Sequence, residues 1–285
     1  MSNMDKLRAA VSKAKATGGT DREDDVFYYP QRDAAGNGSA VIRFLPAENE
    51  DDAPFVKIYA HGFKGPTNKW LIEPCPTTIE QDCPVCTANS ALWNTGLKED
   101  QELVRTRKRK VSYISRIVVV EDKKTTSNEG NVFLFKYGTR IFDKIADKLS
   151  PEFDDDDACN IFDLEEGANF KLKIRKVDGQ TNYDKSEFES TSVCEVDVEK
   201  QYTADNSIQK FLEPSKFKSA EKLAERLNMV LGNTDRVKPK AEKIVEDEES
   251  KPVKPAASKR TEVKVPVDDD EDDIMAMVKS LATDD

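Results

Sequence analysis

The stretch "HGFKGPTNKWLIEPCPTTIEQDCPVC", His61 through Cys86, holds the only histidine of the chain and three of its five cysteines. The spacing is H-x13-C-x7-C-x2-C. Two residues between Cys83 and Cys86 let a tight turn, here Pro84-Val85, aim both sulfurs at one ion, and a helix can begin directly after it. Zinc takes four soft or borderline ligands in a tetrahedron, and three cysteines with one histidine are a regular structural set. The competing reading is a buried cysteine pair beside an incidental histidine. The coincidence of a lone histidine with three clustered cysteines favours the metal. Four protein ligands leave no position open for water, and no second histidine remains to act as a base. A deaminase-type site needs a glutamate two residues after the histidine, where Phe63 stands. The chain also lacks H-E-x-x-H, G-x-x-x-x-G-K-[ST] and G-x-S-x-G. The expected cofactor is therefore one structural Zn2+, worth on the order of 10 kcal/mol of local folding free energy. Cys159 and Cys194, far from the cluster and beside apolar residues, read as small core residues.

A second set of residues has the chemistry of nucleic-acid binding. "VRTRKRKVSYISR" carries six cations in thirteen residues, among them Arg105, Arg107, Lys108, Arg109 and Lys110. Most basic runs are simply solvated faces. This one leads into a strand, and Trp93, Tyr113, Phe135, Tyr137 and Tyr183 are its candidate aromatic neighbours. Cations that track phosphates beside rings that stack on bases suit single-stranded nucleic acid. Duplex recognition is disfavoured, because no recognition-helix pattern carries the charge and stacking needs exposed base faces. Trp93 in "ALWNTG" and Tyr183 in "GQTNYDKS" sit in loop-like contexts that argue against burial.

The formal net charge of −11 opposes such a partner until it is divided by segment. Residues 105–124 hold eight bases against two acids, whereas residues 266–285 hold eight acids against one lysine. The acidic block can occupy a basic groove and be displaced by nucleic acid. No apolar run approaches the roughly 20 residues that span a bilayer. The first twenty residues lack the apolar stretch of a signal peptide, so a reducing cytoplasm is expected and disulfides are not.

The elements that must position these groups are mostly strands. Residues 21–232 read as globular, with "SAVIRFLP", "FVKIYAHGF", "NKWLIEP", "RKVSYISRIVVVED", "NVFLFKYG", "NFKLKIRKVDG" and "STSVCEVDV" as strands bounded by Gly, Pro, Asn and Asp. Helices are expected near Pro84, from Thr139 with Ile141, Ile145 and Leu149 on one face, and over "KSAEKLAERLNMVLG". The expected fold is mainly β (α+β): a small barrel with inserted helical pieces, its zinc-binding part at about 60–110. Residues 1–20 read as a basic arm, with Met4, Leu7 and Val11 on one helical face. Residues 233–267 alternate charges with prolines and read as a disordered linker. Residues 268–285 form an acidic tail: Asp268, Asp269, Asp270, Glu271, Asp272 and Asp273, then an apolar group with Ile274, Met277 and Leu281.

In order along the chain, "AGNGSAVIRFLP", "APFVKIYAHGFKGPTNKW", "DCPVC", "RKVSYISRIVVVED", "NEGNVFLFKYGTRIFDKI", "EGANFKLKIRKVDG" and "TNYDKSEF" resemble the single-stranded DNA-binding proteins of T-even-like bacteriophages. The resemblance covers about residues 35–190. It implies an OB-fold barrel with an inserted zinc subdomain, a flexible N-terminal arm and a disordered acidic C-terminal tail. It implies no enzyme, but cooperative coating of single-stranded DNA in replication, recombination and repair, in the cytoplasm of an infected bacterial host. Carried over by position, the zinc ligands fall on His61, Cys75, Cys83 and Cys86. The cleft cations fall on Arg43, Lys64, Arg109 and Lys110, and the stacking rings on Trp93, Tyr113, Phe135 and Tyr183. The tail implies replication and recombination proteins as partners. Self-association falls to Lys6 and Arg8, although the compact basic run of the family's arm is dispersed here. Ile114 and Gln180 stand where the family often has aromatics. The alternatives are a zinc-dependent nuclease and an RNA-binding translational regulator.

Overall fold

The computed structural model describes residues 26–49, 51–153, 157–198 and 201–232. The arm with Lys6 and Arg8, the linker 233–267 and the acidic tail 268–285 lie outside the described residues.

Eight antiparallel strands build one curved, half-barrel sheet: β1 (Gly38–Phe44), β2 (Phe55–Lys64), β3 (Trp70–Pro74), β4 (Lys110–Glu121), β5 (Val132–Tyr137), β6 (Ala168–Val177), β7 (Gln180–Asn182) and β8 (Glu187–Thr191). The order is β3-β2-β4-β1-β6-β7, with β5 on β4 and β8 on β6. β4 organises this arrangement. One of its edges takes β2 along Lys110–Ser115 and then β1 along Ile117–Glu121, while the other edge takes β5. A strand paired on both edges and covered on both faces has no polar side, and Val111 through Val119 are all buried. A bulge between Val41 and Ile42 bends β1 where it meets β4.

The main core lies in the concave face. Phe44 meets Phe135, Tyr137, Phe162, Phe170 and Phe188 at ring separations of 5.7 to 6.4 Å. Helix α3 (Thr139–Leu149) adds Ile141 and Ile145 to it. Leu149, expected on the same stripe, is instead exposed at the end of the helix.

Three elements differ from the sequence reading. Helix α2 (Lys98–Arg107) follows α1 (Pro84–Trp93) and was not anticipated. "KEDQELVRTR" has no apolar stripe. Its acids in the first turn and arginines in the last suit the helix dipole, and Val104 and Arg107 are its buried residues. β7 exists because Asp178 and Gly179 both take positive φ, closing a two-residue hairpin with β6. "STSVCEVDV" is largely not a strand. β8 ends at Thr191, and the following apolar residues pack Val196, Val198 and Cys194 around Leu45 and Val118 without a ladder.

Candidate metal centre and nucleic-acid interface

His61 stands near the end of β2, opposite Glu73 on β3. Cys75 follows β3 directly, and its amide is tied to the Tyr59 carbonyl at 2.8 Å. A short 3-10 turn, Pro76–Ile79, returns the chain to Cys83, which is the N-cap of α1. Pro84 opens that helix, where its missing N–H costs nothing. Cys86 lies in the first turn, where the positive end of the helix dipole favours a thiolate.

The four candidate ligand atoms all lie within 4.8 Å of one another. Cys75 Sγ is 3.6 Å from Cys86 Sγ, and His61 Nε2 is 3.4 Å from Cys83 Sγ and 3.5 Å from Cys86 Sγ. A tetrahedral zinc with bonds of about 2.3 Å to sulfur and about 2.1 Å to nitrogen has edges of about 3.5–3.8 Å. The four residues therefore fit such an ion. The four side chains also interact strongly with one another. Burial works against an imidazolium at His61, yet hydrogen bonds and charge from Cys75 and Cys83 outweigh it and push its pKa up to about 9. Hydrogen bonds from Cys83 and Cys86 hold the Cys75 thiol far below its usual range, and those to Cys75 and Cys83 push Cys86 far above it. Three thiols at this spacing share negative charge poorly among themselves, whereas a dication lets all three ionise.

The apolar shell of this centre is Phe63, Leu71, Val85, Leu223, Leu227 and Val230. The last three belong to helix α4 (Ala220–Leu231), far outside 60–110 in sequence. Ser219 caps the start of α4 and Gly232, at φ 79°, caps its end. Glu73, nearly buried, pairs with Lys218, and the Thr67 hydroxyl donates to Val230 O at 2.7 Å. At Gly65 a Cβ would lie 2.3 Å from Val230 O, so only glycine lets this hairpin approach the helix.

The basic run is divided by the fold. Arg105 is exposed on α2 with its guanidinium 5.9 Å from the half-buried Trp93 ring. Lys108, Arg109 and Lys110 are half-buried between α2 and β4. Arg109 lies 4.0 Å over the Tyr59 ring and donates to Thr77 Oγ1. Lys57, opposite Tyr113 in register, reaches over both Tyr59 and Tyr113, at 5.4 and 5.8 Å. Lys64 is exposed, opposite Trp70, which is 51% exposed.

Several expected contacts lie elsewhere than the surface. Arg43 is fully buried. Its Nη2 donates to Asp163 O at 2.7 Å and Ser192 O at 2.9 Å, and its pKa is lowered chiefly by burial. It ties three segments together inside the fold and is not placed as a cleft cation. Arg107 is also buried, over the Phe63 ring at 5.5 Å, with its pKa lowered by burial. Tyr113, Phe135, Tyr137 and Tyr183 are core residues; Tyr183 does lie outside the strands, but its burial corrects the expectation that a loop position would leave it exposed. Tyr137 shares a 2.8 Å hydrogen bond with Ser115, and Tyr113 is covered by Phe142 at 3.9 Å and 4°. These rings offer no open face in this arrangement. Alternation along β4 and β5 puts them on one side, and only the curvature of the sheet decides that this side is enclosed. Cys159 is buried as expected, and Cys194 is half-buried. Lys57, Tyr59, Trp70 and Thr77 were missed. The alternation in "FVKIY" was the available signal for the first two.

A half-barrel sheet joined to a Cys3His cluster that could hold a metal ion, with cations and rings along the junction, is compatible with a nucleic-acid-binding protein. Residues 36–231 match the family described as gp32 DNA binding protein like, and the chain belongs to that family. It is 37% identical over 243 residues to the single-stranded DNA-binding protein of Enterobacteria phage T4, covering 79% of this chain and 77% of that protein. The protein of the same name from Enterobacteria phage T2 is 38% identical over 244 residues, with the same coverage. That of Enterobacteria phage RB70 is 45% identical over 112 residues, 38% of this chain and 92% of the relative. The family is non-enzymatic, which removes the nuclease alternative. Among the described residues no helix is long and apolar enough to cross a membrane.

Proposed function

We propose that this protein binds single-stranded DNA along the junction of sheet and metal module, through Lys57, Tyr59, Lys64, Arg105, Arg109 and Lys110. The observation that carries this reading is the Arg109–Tyr59–Lys57 cluster, in which two cations flank one half-buried ring. Such a group serves a phosphate and a base together. The names of the phage relatives support the choice of polymer. In this reading the sheet is an OB barrel and the metal is one structural zinc that closes the module. The protein coats single strands cooperatively during replication, recombination and repair in the host cytoplasm. The acidic tail 268–285 recruits replication proteins and competes for the basic surface.

Titration of the full chain with labelled single- and double-stranded oligonucleotides across a salt series tests the proposal. Single strands should bind more tightly, with log affinity falling linearly against log salt. Equal or tighter duplex binding defeats it, and tighter binding to RNA of the same sequence reassigns the site.

A further inference from the structure

The turn Cys75–Thr78 makes three outward connections from four residues. Cys75 Sγ points into the metal cluster. Thr78 Oγ1 accepts from the Tyr59 amide at 3.0 Å, and the Cys75 amide donates to the Tyr59 carbonyl at 2.8 Å. Thr77 Oγ1 lies 3.1 Å from Cys75 Sγ and also meets Arg109 Nη1. A guanidinium only donates, so the Thr77 oxygen accepts from Arg109 and its single proton is left for the sulfur. A thiolate is the better acceptor for that proton. The Arg109–Thr77–Cys75 chain therefore joins the contact cation to a candidate ligand atom.

We propose that Thr77 is a positioning residue that links the metal centre to the nucleotide contact of Arg109 and Tyr59. This rests on the single-strand-binding reading above. One end of Arg109 is fixed by Thr77, and its guanidinium carbon lies 4.0 Å from the centre of the Tyr59 ring. A guanidinium held in this way is preorganised to meet a phosphate. The Tyr59 backbone is clamped by the same turn, so loading of the metal site sets the ring and the cation together.

The test uses full-length, zinc-loaded protein carrying Thr77→Val, Thr77→Ser, Arg109→Ala, or Thr77→Val with Arg109→Ala. Zinc transfer to a chromophoric chelator and oligonucleotide affinity across a salt series are measured for each. Thr77→Val should weaken zinc binding about 10-fold, as loss of an outer-shell partner does. It should also flatten the log–log salt slope by about 0.7, the value of one phosphate contact on a single strand. Arg109→Ala should flatten it equally, the double variant should go no further, and Thr77→Ser should restore both readouts. A Thr77→Val protein that loses zinc but keeps the wild-type slope overturns the link, as do additive losses in the double variant. Wild-type protein that fails to bind single strands overturns the functional reading and the link with it. A wild-type slope in Thr77→Val beside normal wild-type binding overturns the link alone.

Discussion

In the half-barrel, Phe44 is surrounded by five rings and closed over by Ile141 and Ile145. Around His61, the cluster has eight buried apolar members, and two of those are the candidate ligands Cys75 and Cys83. The first region is a packed aromatic interior that needs no ion. The second gathers loop ends, a short helix and a helix from the far end of the described chain about four polar atoms. The contrast is between a scaffold closed by apolar burial and a module gathered around four candidate metal ligands.

The largest expected effect is removal of the metal, by chelation or by Cys86→Ser. Hydrogen exchange should lose protection around 59–93 and 220–231, while β1, the second half of β4 and β6 keep theirs. Loss of protection everywhere would show that the two regions are one cooperative unit. Acidification should release zinc progressively, because His61 and the three thiols must be deprotonated to ligate. A metal content constant down to mildly acidic pH would argue against these ligands.

Next in size are changes inside the scaffold. Phe44→Ala should cost about 3–5 kcal/mol in denaturant unfolding while zinc content is unchanged. Arg43→Ala should cost about 2–4 kcal/mol, since the carbonyls of Asp163 and Ser192 lose a buried donor. It should leave the salt slope of DNA binding at its wild-type value. A flattened slope with normal stability would return Arg43 to the cleft.

Smaller effects belong to the boundary between the two regions. Tyr59→Ala should weaken single-strand binding by about 1–3 kcal/mol, with a smaller slope change than Arg109→Ala gives. Charge reversal at Arg109 and Lys110 should flatten the slope for all sequences alike. Equal slope changes in both variants would erase the division between stacking and phosphate contact. The smallest effect is expected from ending the chain near Pro266. Binding should tighten at low salt and converge with the full chain as salt screens the charges. No gain at low salt would defeat competition by the tail.

Much of this was readable before the fold was known, and the exceptions share a cause. The strands ending in Phe44, Lys64 and Tyr137, and the helix from Ser219 to Gly232, carry their own signals of alternation, capping and turn chemistry. Helix α2 lacked an apolar stripe and was invisible to periodicity. Tyr113 and Phe135 were given surface roles from residue type and nearness to a basic run, and Arg43 from the family resemblance, and none of these reports enclosure.

The sequence by itself determined the candidate ligand cluster, most of the strands and the segregation of charge. One histidine, three cysteines at turn spacing, period-2 alternation and runs of like charge are local properties, set by neighbours in the chain. Only the tertiary structure decided that Arg43 and the aromatic stack face inward. The same is true of α4 closing over the metal module, and of Tyr59, Thr77 and Arg109 meeting beside Cys75. Those outcomes depend on the curvature of the sheet and on contacts between segments far apart in the chain, and no local pattern of residues encodes which side of a strand the rest of the molecule will cover.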